Sequence, residues 1–361
     1  MTIQMLNPFG ARRLAPVLFS MLLAGPMRVG AQLPVFHNAG SPWVDSVLAQ
    51  LTLEEKIGQL FMIPSYSNRD AAHENAVAES IRKHHVGGII FMQGGPARQA
   101  QLVNRFQSEA KVPLLMAQDA EWGLGMRLDS TESFPRQMMW GALDDHELVY
   151  ELGRELGRQC ARVGVNMNFA PVVDVNNNAR NPVINDRAFS ENRHNVALRG
   201  LQYTKGMQDV GILASAKHFP GHGDTDKDSH YDLPVIMHDR ERLDSVEMYP
   251  YRVMIPQGVA AVMTAHLNVP ALDNTTGAVA SLSGKVVNDL LRNELGFRGL
   301  VVTDALNMKG VAAFGTGGEA ELRAVLAGND ILLFPSNMSR SVDLIKAAIR
   351  TGKYSEAQLD E

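Results

Sequence analysis

One pattern repeats along most of this chain: a short, near-continuously apolar run, then a longer stretch of helical periodicity. The apolar runs fall at 59–63, 88–92, 113–118, 165–170, 212–217, 259–265, 300–303 and 330–334. The clearest helical stretches fall at 71–84, 97–110, 146–163, 193–210, 240–257, 284–295, 318–327 and 341–350. Runs apolar at successive positions, rather than alternating, belong to strands covered on both faces. Several follow a glycine, as in HHVGG, DVGI and GFRGLVV, where a helix ends and a buried strand begins. Eight strand–helix alternations predict an α/β fold, a parallel sheet closed into a (β/α)8 TIM-type barrel. An open doubly wound sheet is the alternative. It is disfavoured because no phosphate-binding glycine fingerprint follows the first strand.

A barrel makes a statement about chemistry: working residues sit just past the C-terminal ends of the strands. Titratable and polar residues do fall there. They are Gln118–Asp119, Asp174, Lys217–His218, His266, Asp304 and Pro335–Ser336.

Composition narrows the function classes. The chain has 361 residues, 45% of them hydrophobic, and a formal charge of −5, with no basic block suited to a phosphate backbone. Nucleic acid is therefore not an expected partner. The lone Cys160, in ELGRQCARVG, cannot form an internal disulfide and reads as helical core. Residues 1–31 read as a secretory signal peptide. Arg12 and Arg13 precede an apolar run at 14–24, and Val29, Gly30 and Ala31 form a small-residue cleavage pattern before Gln32. A buried N-terminal helix is the alternative there. The expectation is export to the periplasm or outside the cell without a membrane anchor. Residues 32–50 form a lead-in, and 51–361 the barrel domain. The last residues, KYSEAQLDE, read as the start of another helix, so a continuation is expected.

The densest polar segment is KHFPGHGDTDKDSH at 217–230, with three histidines, three aspartates and two lysines around Pro220, Gly221 and Gly223. Three readings stand: a solvated loop, a metal site using His218, His222 and His230 with Asp224, or a catalytic loop. In the last, Asp228 holds the His230 imidazole two residues on and raises its basicity. Asp304, at the end of an apolar strand in LVVTDALNMKG, is either a helix N-cap or a rim carboxylate held charged by cationic neighbours. Lys217, His218 and Arg187 are the candidate neighbours.

KHFPGHGDTDKDSH strongly resembles the signature of glycoside hydrolase family 3, in its β-N-acetylglucosaminidase (β-N-acetylhexosaminidase) branch. The resemblance runs from about Leu51 to the end of the chain. DVNNNARNPVINDRAFSEN, VMTAHLNVPALD and GFRGLVVTDALNMKG match further family segments in order. It implies a retaining glycosidase, with Asp304 as nucleophile, His230 as general acid/base and Asp228 as its partner. It also implies sugar contacts from Asp119, Arg127, Arg187, Lys217 and His218, a carbohydrate substrate, and neither cofactor nor metal. His222 then shapes the loop. The expected activity is removal of terminal β-linked N-acetylglucosamine from peptidoglycan fragments or chitooligosaccharides. The alternatives are a β-glucosidase of the same family, a metal-dependent barrel hydrolase and a non-catalytic sugar-binding barrel. In one place the sequence departs from the family. Many relatives carry two glycines where Trp122 and Gly123 follow Glu121. Trp122 either packs beneath its loop, the preferred reading, or stacks on a sugar. Met138, Met139 and Trp140 read as core.

Overall fold

In the computed structural model, the described residues are 40–361 without Asp228, His230, Tyr231, Ala313, Gly315 and Thr316. Residues 1–31, read as a signal peptide, and the Asp228 and His230 pair thus lie outside the described residues.

All eight apolar runs form parallel strands. They are β1 (Phe61–Ser65), β2 (Gly88–Phe91), β3 (Leu115–Gln118), β4 (Met167–Asn168), β5 (Leu213–Phe219), β6 (Ala261–Thr264), β7 (Leu300–Thr303) and β8 (Leu332–Leu333). Each pairs with its sequence neighbour, and β8 returns to β1 through Phe61↔Leu332 and Met62↔Leu333. Between β7 and β8 the barrel is closed by a Val302↔Ile331 bridge, with Thr303 N donating to Ile331 O at 2.9 Å. The sheet therefore has no free edge, and the open-sheet alternative is excluded.

Met62, Ile90, Met167, Met263, Val302 and Leu333 come from six strands around the barrel and pack together as one buried cluster. That cluster fills the barrel interior. A second apolar layer joins the outer strand faces to the helices, which is why the strands are apolar at every position.

Helix starts follow their caps. Asp70 accepts from His73 N, Asp145 from Glu147 N and Asn192 from His194 N, which set the starts of Ala71–His84, His146–Arg162 and Arg193–Asp209. The last expected helix begins earlier, at Met338, because Asn337 caps Arg340 N. The terminal KYSEAQLDE does start a helix, Glu356–Asp360, with a capping box from Ser355 and Gln358.

Three expectations are corrected. The 240–257 stretch is not one helix. It breaks into Arg240–Ser245, Tyr249–Met254 and a 3-10 turn, because Pro250 lacks an N–H and sits only at a helix start. The first strand starts at Phe61 because the helix Leu53–Gly58, with its own Thr52–Glu55 capping box, runs into Gln59 as its C-cap. Met139 is 65% exposed and is not core. Among the described residues no helix is long and apolar enough to cross a membrane.

Candidate active site

The strand ends deliver their charged side chains to one cleft. Asp119 follows β3, Lys217 and His218 lie near the end of β5, and Asp304 follows β7. These four, together with Arg127 and Arg187 from the loops after β3 and β4, line a cavity of about 480 Å³. That volume suits a small-molecule site. Its apolar wall is supplied by Ile90, Met92, Met263, Leu333 and Phe334. Every described residue of the expected site is therefore brought together. Ser229, between Asp228 and His230, lines the same cavity.

The core of the site is a chain of alternating charges. Arg127 Nη2 donates to Asp119 Oδ2 at 2.6 Å, and Lys217 Nζ donates to Asp119 Oδ1 at 2.9 Å. The same Nζ lies 2.8 Å from Glu121 Oε1, and Arg187 closes the chain with a two-bond fork onto Glu121. Lys217 and Glu121 are almost wholly buried, so each charge depends on the others. Burial alone would raise the Asp119 pKa. The Lys217 and Arg127 charges outweigh it and hold the carboxyl at about 2. Glu121 is held well below the usual range against its burial by Arg187 and Lys217. Lys217 is raised despite burial by Asp119 and Glu121.

A second network sets the base of the β5 loop. Asp174 is fully buried after β4. Its Oδ2 pairs with His218 Nδ1 at 2.7 Å, and its Oδ1 accepts from the backbone N–H groups of His218 and His222. This fixes the His218 ring so that its other nitrogen faces away from Asp174. The His222 ring is enclosed by the loop itself, with Thr225 Oγ1 at 2.8 Å and Ser229 Oγ at 3.0 Å. His222 is thus occupied in holding the loop's shape.

The metal alternative drawn from the sequence is not assembled among the described residues. His218 and His222 have the partners just named, and Asp224 turns instead to His238, 2.6 Å away. Among the described residues the one grouping with ligand-like spacing is Asp224, His238 and Glu247. There Arg242 donates to both Glu247 oxygens.

Asp304 is anchored through its backbone, its N–H donating to Thr264 O at 2.9 Å across to β6. Its Oδ1 accepts from Ala305 N at 2.8 Å. Burial would raise its pKa, but the field of His266 and His218, the Ala305 N–H and Lys217 lower it. The group is a poised anion in a partly apolar cavity. His266 is itself buried behind this strand end, bonded to Ser281 Oγ at 2.7 Å and Ala305 O at 3.1 Å. Ser336, after β8, donates its hydroxyl to Glu321 Oε1 at 2.8 Å.

Two residues of the site's charge networks are not singled out by the sequence pattern as site residues. Glu121 stands there only as the neighbour of Trp122, although an acid two residues past Asp119 at a strand end is a signal. Asp174 falls on the expected rim, but the sequence assigns it no partner. Trp122 also differs from the preferred reading: it is only part-buried and lines the cavity, with the Arg136 guanidinium 4.2 Å from its ring centroid.

The fold and site define a (β/α)8 barrel whose C-terminal rim carries a charged cleft built for a polar ligand. Residues 52–361 match the Glycosyl hydrolase family 3 N terminal domain, and the chain belongs to that family. A Cellulomonas fimi protein called beta-N-acetylglucosaminidase/beta-glucosidase is 34% identical over 89% of this chain. The beta-hexosaminidase LpqI of Mycobacterium tuberculosis is 33% identical over 91% of it and is itself covered to 84%. Among solved structures, a family 3 beta-N-acetylglucosaminidase from Paenibacillus sp. str. FPU-7 is 41% identical. It superposes with a TM-score of 0.80 over 86% of this chain and 60% of its own. The chain spans 58% of the length of the Cellulomonas fimi relative and 53% of that of a Pseudoalteromonas piscicida beta-hexosaminidase A.

Proposed function

We propose that this barrel removes terminal, non-reducing β-linked N-acetylglucosamine from peptidoglycan fragments or chitooligosaccharides, with retention of configuration. The observation that carries the reading is Asp304, an anion in a cavity whose other walls present Lys217, His218, Arg127, Arg187 and Asp119. Charged groups of both signs, fixed in place, give the orienting hydrogen bonds that a polyhydroxylated ring requires.

In the first step the Asp304 carboxylate attacks the anomeric carbon as the bond to the leaving oxygen breaks. His230, protonated and oriented by Asp228, gives its proton to that oxygen. In the second step His230 takes a proton from water, which attacks the same carbon and releases Asp304. The negative Asp304 stabilises the oxocarbenium-like charge in both transition states. Asp119, Arg127, Arg187, Lys217 and His218 hold the sugar. The placement of Ser229 on the cavity wall supports this use of its two neighbours. The sequence of residues 1–31 supports export to the periplasm or beyond.

A second reading, hydrolysis of β-glucosides, is favoured by the double name of the Cellulomonas fimi relative. The two are separated by comparing aryl β-N-acetylglucosaminide with aryl β-glucoside. Asp304→Ala is expected to lose at least about a thousandfold in kcat, the order of a missing nucleophile. His230→Ala is expected to keep a fast first step on a good leaving group and a slow turnover. A preference for the glucoside removes the branch assignment, and full activity in Asp304→Ala removes the nucleophile.

A further inference from the structure

We propose that Trp122, braced by Arg136, is the wall of the leaving-group subsite and makes the cleft favour a sugar leaving group over a small alkyl one. The inference rests on the glycosidase reading above.

The position of Trp122 argues for this side of the cleft. Its loop begins at the buried end, where Asp119 and Glu121 join Lys217. Trp122 comes next and is the first residue of that run to combine a large side chain with partial exposure. The side chain over its ring, Arg136, is 46% exposed, and Asp186, which Arg136 contacts at 3.3 Å, is 58% exposed. The ring thus lines the cavity and also touches a solvent-exposed side chain, which sets it toward the mouth rather than the buried charge network. A terminal sugar fills the closed end of such a cleft, and whatever it is attached to leaves through the mouth.

The main chain that carries the ring is also fixed. Trp122 O accepts from Phe134 N at 2.8 Å. Gly123 follows at φ +98, where a side chain would be strained and a Cβ would meet Glu132 O and the Phe134 ring at 3.2 Å. A guanidinium over the ring adds a cation–π contact. With one face under the guanidinium, the indole has its remaining apolar surface to offer the C–H face of a pyranose while the sugar hydroxyls stay in water.

The test uses the full chain and two substrates: N,N′-diacetylchitobiose, whose leaving group is a sugar, and methyl β-N-acetylglucosaminide, whose leaving group has no ring. The measured quantity is the ratio of their kcat/KM values. Trp122→Ala is expected to lower that ratio about tenfold, Trp122→Phe to retain most of it, and Arg136→Gln to lower it about threefold. A ratio within twofold of wild type in Trp122→Ala overturns the proposal. If that variant does not fold, an unchanged ratio in Arg136→Gln overturns it. A wild-type chain inactive on both glycosides defeats the glycosidase reading itself. An active wild type with an insensitive ratio defeats only the subsite assignment.

Discussion

Arg187 grips Glu121 through two parallel hydrogen bonds, Nη2 to Oε1 at 2.8 Å and Nε to Oε2 at 3.0 Å, while Lys217 Nζ stands 2.8 Å from the same Oε1. The Glu121 side chain is wholly buried. It links two cations that arrive from the loop after β4 and from β5, and so sets where both can meet a ligand. Removing one partner of such a buried network leaves uncompensated charge, at a cost of about 3–5 kcal/mol. Glu121→Ala is expected to lose stability on that scale. Glu121→Gln keeps an acceptor and should lose less. Both should raise KM as Lys217 and Arg187 lose their fixed positions. Urea unfolding and steady-state kinetics check this, and a Glu121→Ala midpoint equal to wild type contradicts it.

The protonation of Asp304 gives a pH test with a definite sign. Its folded pKa lies below the ordinary 3.8, since the charges of His266 and His218 and the Ala305 N–H outweigh burial. The anion, which the proposed nucleophile must be, is therefore present above pH 3.8 and lost only as pH falls further. Any acid limb in kcat/KM above pH 3.8 must then come from another group. A carboxyl-carbon NMR titration that places the Asp304 midpoint above 3.8 is the result that contradicts this.

Much of this was legible in the sequence because a parallel barrel writes its strands as unbroken apolar runs and its site at their ends. All eight strands and the rim positions of Asp119, Lys217 and Asp304 follow from that rule alone. Cys160 in a helical apolar pattern is indeed fully buried, and its thiol is pushed up to about 12. Glu121 and Asp174 were not legible as working residues. Their importance lies in which distant side chains they touch, and partners 44 to 96 positions away leave no local pattern. The placement of Trp122 is illegible for a related reason: no local pattern shows that Arg136, 14 positions on, lies over its ring. The break after Ser245 was legible in Pro250, but the apolar period carried on through it.

Histidine 222 ties the loop's shape to pH. Burial lowers its pKa from 6.5 to about 4, with the neighbouring His218 adding to the effect. Its folded value is below its unfolded one, so neutral His222 contributes stability that is complete above pH 6.5 and lost as pH falls toward 4. From pH 7 to pH 5 the loss from this group is about 2 kcal/mol. His222→Gln removes the titration, so its stability should fall less steeply over that interval. Urea midpoints at the two pH values decide it, and parallel slopes for the two proteins count against the assignment.

The two longest helices behind the site meet backbone to backbone, and glycine permits it. A Cβ on Gly206, in Arg193–Asp209, would lie 2.0 Å from Tyr150 O and 2.8 Å from Arg154 N of His146–Arg162. Reciprocally, a Cβ on Gly153 would lie 2.3 Å from Tyr203 O. Replacing glycine by alanine inside a helix ordinarily gains about 1 kcal/mol. Here the obstruction is main chain, which cannot rotate aside, so the helices must separate and the packing loss, about 1–3 kcal/mol or more, outweighs the gain. Gly206→Ala should therefore lower the melting temperature, while Gly284→Ala, with nothing within 4 Å of its Cβ, should leave it nearly unchanged. The effect should reach the cleft as well. Tyr203 of the displaced helix hydrogen-bonds Glu121 O at 3.2 Å, so moving it shifts the backbone of the residue that fixes Lys217 and Arg187. Gly206→Ala is accordingly expected to raise KM even at temperatures where it is fully folded. An unchanged KM there would show that the Tyr203 contact does not transmit the displacement.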